Sequence, residues 1–248
     1  MTDNESRIRR LTVVTLLVFL VGGLAACSST SHPKSAPTTT AAPSSTAASG
    51  TTSPSSTSDR VTVRAIVLKA TDLPGTWKVG SIEPNDKSGD NQMTNCLGIP
   101  NSDTSQTAYA GSPDFQQGTV VIFSQTTVYT STAVVGQDLR GYASPNLARC
   151  FSQLFATQTS ATNVRVARTV LPSSAGALKG FRLGGSFDVT QSGRTHSQVF
   201  DEVALAKGRV ELNIVVLAPA NAPVPSGLMT RATAAIVQRL NSAPVSAG

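Results

Sequence analysis

The chain has 248 residues, a formal net charge of +6, only 14% charged and 5% aromatic residues, and three cysteines. The basic residues, among them Arg60, Arg64, Lys69, Lys78, Lys87, Arg140, Arg149, Arg165 and Arg168, are scattered and alternate with no aromatics, which excludes nucleic acid as the expected partner. A modest positive charge of this kind suits a solvated surface, or loose attraction to anionic lipid or wall polymer.

Arg7, Arg9 and Arg10 open the chain, and the 16 residues from Leu11 to Ala26 carry no charge. A helix needs roughly 20 apolar residues to cross about 30 Å of hydrocarbon. The run is short for a permanent span and suits the apolar core of a secretory signal. It ends in Leu24-Ala25-Ala26-Cys27. These four residues resemble the lipobox of bacterial lipoproteins. That resemblance implies cleavage before Cys27, a diacylglyceryl thioether on its sulfur, and a membrane partner reached through the lipid. Each buried CH₂ contributes about 0.8 kcal/mol, so two or three acyl chains hold firmly. Residues 1–26 then form the signal peptide, and losing their three arginines and two acids leaves a charge of +5. The implied location is the outer face of the cell membrane, lipid-anchored and extracytoplasmic.

From Ser28 to Ser58 every residue except His32 and Lys34 is Ser, Thr, Ala, Pro or Gly. Nothing larger than alanine is available to bury, so ordering entropy goes unopposed. The segment 27–59 is therefore read as the lipidated cysteine and a disordered tether. Its coil dimension is about 30 Å, enough to lift a domain off the headgroups. Such Ser/Thr/Pro stalks also suit O-glycosylation. Residues 60–243 form the extracytoplasmic domain, long enough for one real core, and 244–248 a disordered tail.

Within the domain, Val63, Ile66, Val67 and Ala70 fall at helical spacing in Val61–Ala70. Thr71-Asp72-Leu73-Pro74-Gly75 stops that helix. Thr76–Ile82 reads as a short strand carrying the only tryptophan, Trp77, and Glu83–Asn95 as a polar loop. Gly118–Tyr129 is rich in β-branched and aromatic residues and predicts a strand. Ser131 is a candidate N-cap for a helix over Ala133–Tyr142. A second helix over Pro145–Thr157 carries the stripe Leu147, Cys150, Phe151, Leu154 and Phe155. Asn163–Leu171 alternates as a strand. Lys179–Thr190, Thr195–Ala206 and Arg209–Ala218 predict a three-stranded meander, with Gly193 and Gly208 in its turns. Leu212, Ile214 and Val216 alternate against Val215 and Leu217, so the last strand should be buried on both faces. Ser226 is the expected cap of a final helix to Leu240. The order predicts α+β: a single domain, a central antiparallel sheet, helices packed on one face.

Leu73, Pro74, Gly75, Trp77, Cys96, the strand Val120–Phe123 and Arg149-Cys150 together resemble a group of actinobacterial lipoproteins. These are similar to the extracytoplasmic sensor domain of mycobacterial PknH-type serine/threonine kinases, with PsbP/Mog1-like lipoproteins as neighbours. The resemblance touches about residues 65–220. It implies one α+β domain with a cleft and no settled enzymatic activity. That sensor domain has two disulfides, whereas this domain has cysteines for one.

Catalytic motifs are mostly absent, and no metal-ligand constellation forms. Gly184-Gly185-Ser186-Phe187 lacks nucleophile-elbow spacing, and His196, beside a predicted turn, is the only histidine in the domain. No cofactor is implied. Asp201 and Glu202 should point to opposite faces of a strand, as a salt-bridged or solvated pair of positions rather than a dyad. Cys96 and Cys150, in an exported domain, have one possible intramolecular pairing and are expected to form a disulfide. Trp77, Phe123 and Phe181, together with Tyr109 and Phe115, are either core or the wall of an apolar ligand cleft. The expectation is a non-enzymatic binding or sensing module for an envelope lipid, glycan fragment or partner protein. The alternatives are an envelope hydrolase with a Ser-Lys or carboxyl-only site, and a passive spacer.

Overall fold

Strands with two apolar faces set the centre of the molecule. The computed structural model describes residues 55–82 and 88–243; the signal segment, Cys27, residues 28–54 of the tether and the tail 244–248 lie outside the described residues. Eight strands form one sheet: β1 Lys78–Ile82, β2 Gln106–Gly111, β3 Pro113–Gln117, β4 Val120–Tyr129, β5 Thr162–Thr169, β6 Lys179–Gln191, β7 Arg194–Lys207 and β8 Val210–Pro219. Their order is β1-β3-β4-β8-β7-β6-β5, with β2 also paired to β4, and every pairing is antiparallel. β2 and β3 share one side of β4 as a bent strand. The bend sits at Ser112, whose N–H donates to Ser124 O at 2.8 Å and whose Oγ accepts from Ser124 N–H at 2.9 Å. The meander turns place Gly193 at φ 74° and Gly208 at φ 58°, the left-handed region in which glycine carries no Cβ penalty.

The fold is the expected α+β class with an antiparallel sheet. Its helices, however, cover both faces instead of one. Helices α1 Ser55–Ile66 and α5 Leu228–Ser242 pack on the first face. There Val63, Ile66, Leu228, Ala232, Ile236 and Leu240 meet Ile122, Val203, Leu205, Leu212, Ile214 and Val216. Helices α2 Ser88–Leu97, α3 Thr132–Tyr142 and α4 Leu147–Thr159 pack on the second. There Met93, Phe151, Leu154 and Phe155 meet Val121, Phe123, Leu183, Phe187, Phe200 and Leu217. The reason is that β4 and β8 are buried almost continuously along their length; strands apolar on both sides need two helical layers.

Three further expectations are corrected. Glu83–Asn95 is not all loop, because residues 88–97 are helical: Met93 is buried, and Cys96 lies at disulfide distance from Cys150, which seat a polar helix that propensity alone would not favour. The first helix begins at Ser55, within the segment read as tether, and ends at Ile66; Asp59 is buried against Arg209 at 2.9 Å, and Leu68 N–H leaves the helix to reach Ser124 Oγ at 2.8 Å. The last helix is preceded by Gly227 at φ 70°, not capped by Ser226. Ser131 does stand at the N-cap of α3, as expected, without a side-chain hydrogen bond there.

Candidate functional site

On the second face the sheet changes character along its length. In β8 the first-face positions Val210, Leu212, Ile214, Val216 and Ala218 are all apolar and buried. The alternate positions begin polar, with Glu211 and Asn213, and end apolar, with Val215 and Leu217. β4 repeats this in reverse: Val121 and Phe123 are followed by Gln125 and Thr127. The register joins the two polar halves, Gln125 opposite Asn213 and Thr127 opposite Glu211. β7 adds Glu202 beside Val215, then the small side chains of Ala204 beside Asn213 and Ala206 beside Glu211. A polar patch with little side-chain bulk next to it thus lies under the helical layer.

Between that patch and helices α2–α4 is a cavity of about 100 Å³. Helix α2 contributes Met93, Thr94 and Leu97, and the following loop Ile99, Ser102 and Asp103. Helix α3 contributes Asp138 and Tyr142, one turn apart on the same face. Tyr109 of β2 and Tyr129 of β4 stand at the polar end, and Phe123 and Phe151 at the apolar end. The cysteine pair, with Cα atoms 5.6 Å apart, ties α2 to α4, two of the walls.

The electrostatics are one-sided. Asp103, Asp138, Glu202 and Glu211 line the cavity, and among the described residues lining it none is basic. Burial pushes the Glu202 carboxyl up to about 7, with neighbouring Asp201 adding to the effect. Burial also raises Asp138; hydrogen bonding to Ser102 and Tyr129 opposes this without cancelling it, and Asp103 adds to it. Removing a carboxylate from water disfavours its charged form. Asp138 Oδ1 and Asn213 Oδ1 are buried without a hydrogen-bond partner. The hydroxyls of Thr94, Ser102 and Thr127 have no lysine or histidine among the lining residues to activate them. Among the described residues no three of His, Cys, Asp and Glu converge to hold a metal ion.

The residues singled out from the sequence are split by the sheet. Phe123 lines the cavity, and Phe181 stacks on Tyr142, ring centroids 4.2 Å apart, behind the wall. Trp77 lies on the first face with Leu73 and Phe115, its Nε1–H donating to Pro74 O at 2.8 Å. The Leu73-Pro74-Gly75 turn and Trp77 are therefore packing elements of the opposite layer. Asp201 and Glu202 do face opposite ways: Asp201 pairs with Arg182 at 2.6 Å, while Glu202 is buried and lines the cavity, neither paired nor solvated. His196 is exposed on β7. Gln125, Asp138, Glu211 and Asn213 carry the site and were not singled out. The signal for three of them was present, since polar residues interrupt the second-face alternation of β4 and β8.

No family model matches the chain, and no curated protein is significantly similar to it.

Proposed function

We propose that this chain is a lipid-anchored, extracytoplasmic binding module whose cavity under α2–α4 holds a small polar ligand without turning it over. The observation that carries the reading is the set of buried carboxyls, Asp138 and Glu202, lining a cavity in which neither is paired with a cation. Burying such groups opposes folding, so their presence points to a task other than stability. The Leu24–Cys27 lipobox supports the anchor, and a cysteine pair at bonding distance suits an oxidising compartment. The resemblance to sensor domains agrees with binding. The lining disfavours an acyl chain, which would bury four acids against hydrocarbon.

Two measurements test this. Metabolic labelling with palmitate should mark the full chain and not its Cys27→Ala variant; equal absence of label from both overturns the anchor. Native mass spectrometry of the full chain, purified in mild detergent from the cells that encode it, should show a small-molecule adduct; a bare calculated mass overturns the ligand. A hydrolase using carboxyls alone is favoured by one observation, the Glu202 pKa of about 7, which suits a general acid. A cavity of about 100 Å³ leaves little room for a polymer on both sides of a scissile bond. Hydrolysis of chromogenic glycosides or esters that is lost in Glu202→Gln would establish that reading instead.

A further inference from the structure

We propose that the cavity under α2–α4 is a site for a small organic cation, of the class of short aliphatic diamines. The inference rests on the reading of the domain as a binding module and names the chemistry of its ligand.

Charge comes first. All four ionisable acids of the lining are of one sign, on a chain whose net charge is +6. An anionic ligand would meet like charge in a water-poor space, where such repulsion is strong. The unmet hydrogen-bonding capacity comes second. Asp138 is only 7% exposed and its Oδ1 has no partner; Asn213 Oδ1 is likewise buried without one. The Glu202 carboxyl, 9% exposed, has no basic side chain among the lining residues to meet it. These atoms are acceptors, so the ligand must supply donors.

Spacing then separates a metal ion from an organic cation. A metal needs several ligands around one point, and among the described residues no three acidic, histidine or cysteine side chains converge in that way. The acceptors come instead from different elements around the cavity: Asp138 from α3, Glu202 from β7 and Asn213 from β8. A ligand with more than one donor group can serve acceptors carried by three different elements. Part of the lining is apolar and aromatic, with Phe123, Phe151 and Tyr142. Methylenes pack on such a surface, and an ammonium gains from a ring face. Size closes the argument. A volume of about 100 Å³, set against about 30 Å³ for one water, limits the occupant to a small molecule, as a short aliphatic diamine is.

The test is isothermal titration of the full chain in mild detergent at pH 7.5 and low salt. The probes are 1,5-diaminopentane, 1,5-pentanediol, glutarate and calcium chloride. The diamine should bind, and the diol, the diacid and calcium should not. Asp138→Asn and Glu202→Gln should each weaken diamine binding at least tenfold, while Asp201→Asn, on the opposite face, should leave it within twofold. Binding of calcium, or of the diol as tightly as the diamine, overturns the cation assignment. So does diamine binding that both cavity variants leave unchanged. If the diamine fails while native mass spectrometry still shows an adduct, the cation class falls and the binding module stands. If the diamine fails and the native mass is bare, both fall.

Discussion

Replacing Glu202 with glutamine should stabilise the domain, and only above a definite pH. The side chain is 9% exposed, and its carboxyl titrates near 7 in the folded state against an ordinary value of 4.5. A raised carboxyl pKa means that the folded state holds a proton the unfolded chain has released. Stability therefore falls as pH rises through the interval between the two values, at up to about 1.4 kcal/mol per pH unit. Below 4.5 both states are neutral at this position and nothing is lost. Above 7 both are ionised, and the loss levels off at about 3 kcal/mol. Glutamine has the same shape and never ionises. Whatever fixed penalty its amide brings is present at every pH and cancels from the comparison. Urea unfolding of the full chain and of Glu202→Gln at pH 4.5, 6 and 8, at constant ionic strength, should give a stability difference that grows with pH in favour of the variant. In melting temperature the change from pH 4.5 to 8 is on the order of 6–12 °C for a domain of this size. Parallel profiles for the two proteins would refute the reasoning, because Glu202 would then ionise alike in both states.

Three other variants probe the frame around the cavity. Cys96 and Cys150 are 54 residues apart, so replacing both with serine should cost about 4 kcal/mol on the chain-entropy account; hydrogen exchange should show α2 losing protection before the sheet does. A Cβ on Gly185 would lie 2.2 Å from Phe200 Cε1 and 2.4 Å from Arg165 O, and Gly185→Ala should cost about 1–3 kcal/mol through overpacking, read by urea midpoint. Arg239 donates to both oxygens of Asp72 at 2.9 and 2.7 Å and to the carbonyls of Ile66 and Val67 at 3.2 and 3.0 Å, joining α5 to the end of α1. Lysine has no planar fork to match this set, and Arg239→Lys should lose about 1–3 kcal/mol in the same assay.

Local pattern made much of the fold legible. The stripe Leu147, Cys150, Phe151, Leu154 and Phe155 of α4 is wholly buried, and the meander β6–β7–β8 lies within two residues of its expected ends at every strand. Helix α2 was not legible, because SGDNQMTNCL has almost no apolar face. Its helicity depends on partners distant in sequence, Cys150 above all. The cavity was harder for the same reason. Glu211 and Asn213 look like ordinary exposed positions until β4 brings Thr127 and Gln125 opposite them, across more than eighty residues of chain. The aromatic residues misled in the opposite direction. Trp77 is the largest side chain in the domain, yet it lies in the other layer, where size serves packing.

The chain itself supplies a comparison for its cavity acids. Asp59 is buried on the first face, the side chain of Asp72 is largely covered there, and each meets an arginine: Asp59 with Arg209 at 2.9 Å, Asp72 with Arg239 at 2.7 Å. Thr107 Oγ1 also donates to Asp59 at 2.6 Å. The first pair holds α1 against the sheet and the second ties α5 to the end of α1, so each acid faces a fixed cation. Asp138 and Glu202 are as deeply buried and have no such cation. Neutralisation should therefore act with opposite sign in the two settings. Asp59→Asn strands a buried guanidinium and should destabilise the domain by about 3–5 kcal/mol, whereas Glu202→Gln at pH 8 should stabilise it. Urea midpoints of the two variants at pH 8, measured side by side against the parent chain, decide the matter. Midpoints that move in the same direction would mean that Glu202 is held by an interaction as favourable as an ion pair. In that case the cavity acids would be part of the scaffold, and nothing would remain for a ligand to neutralise.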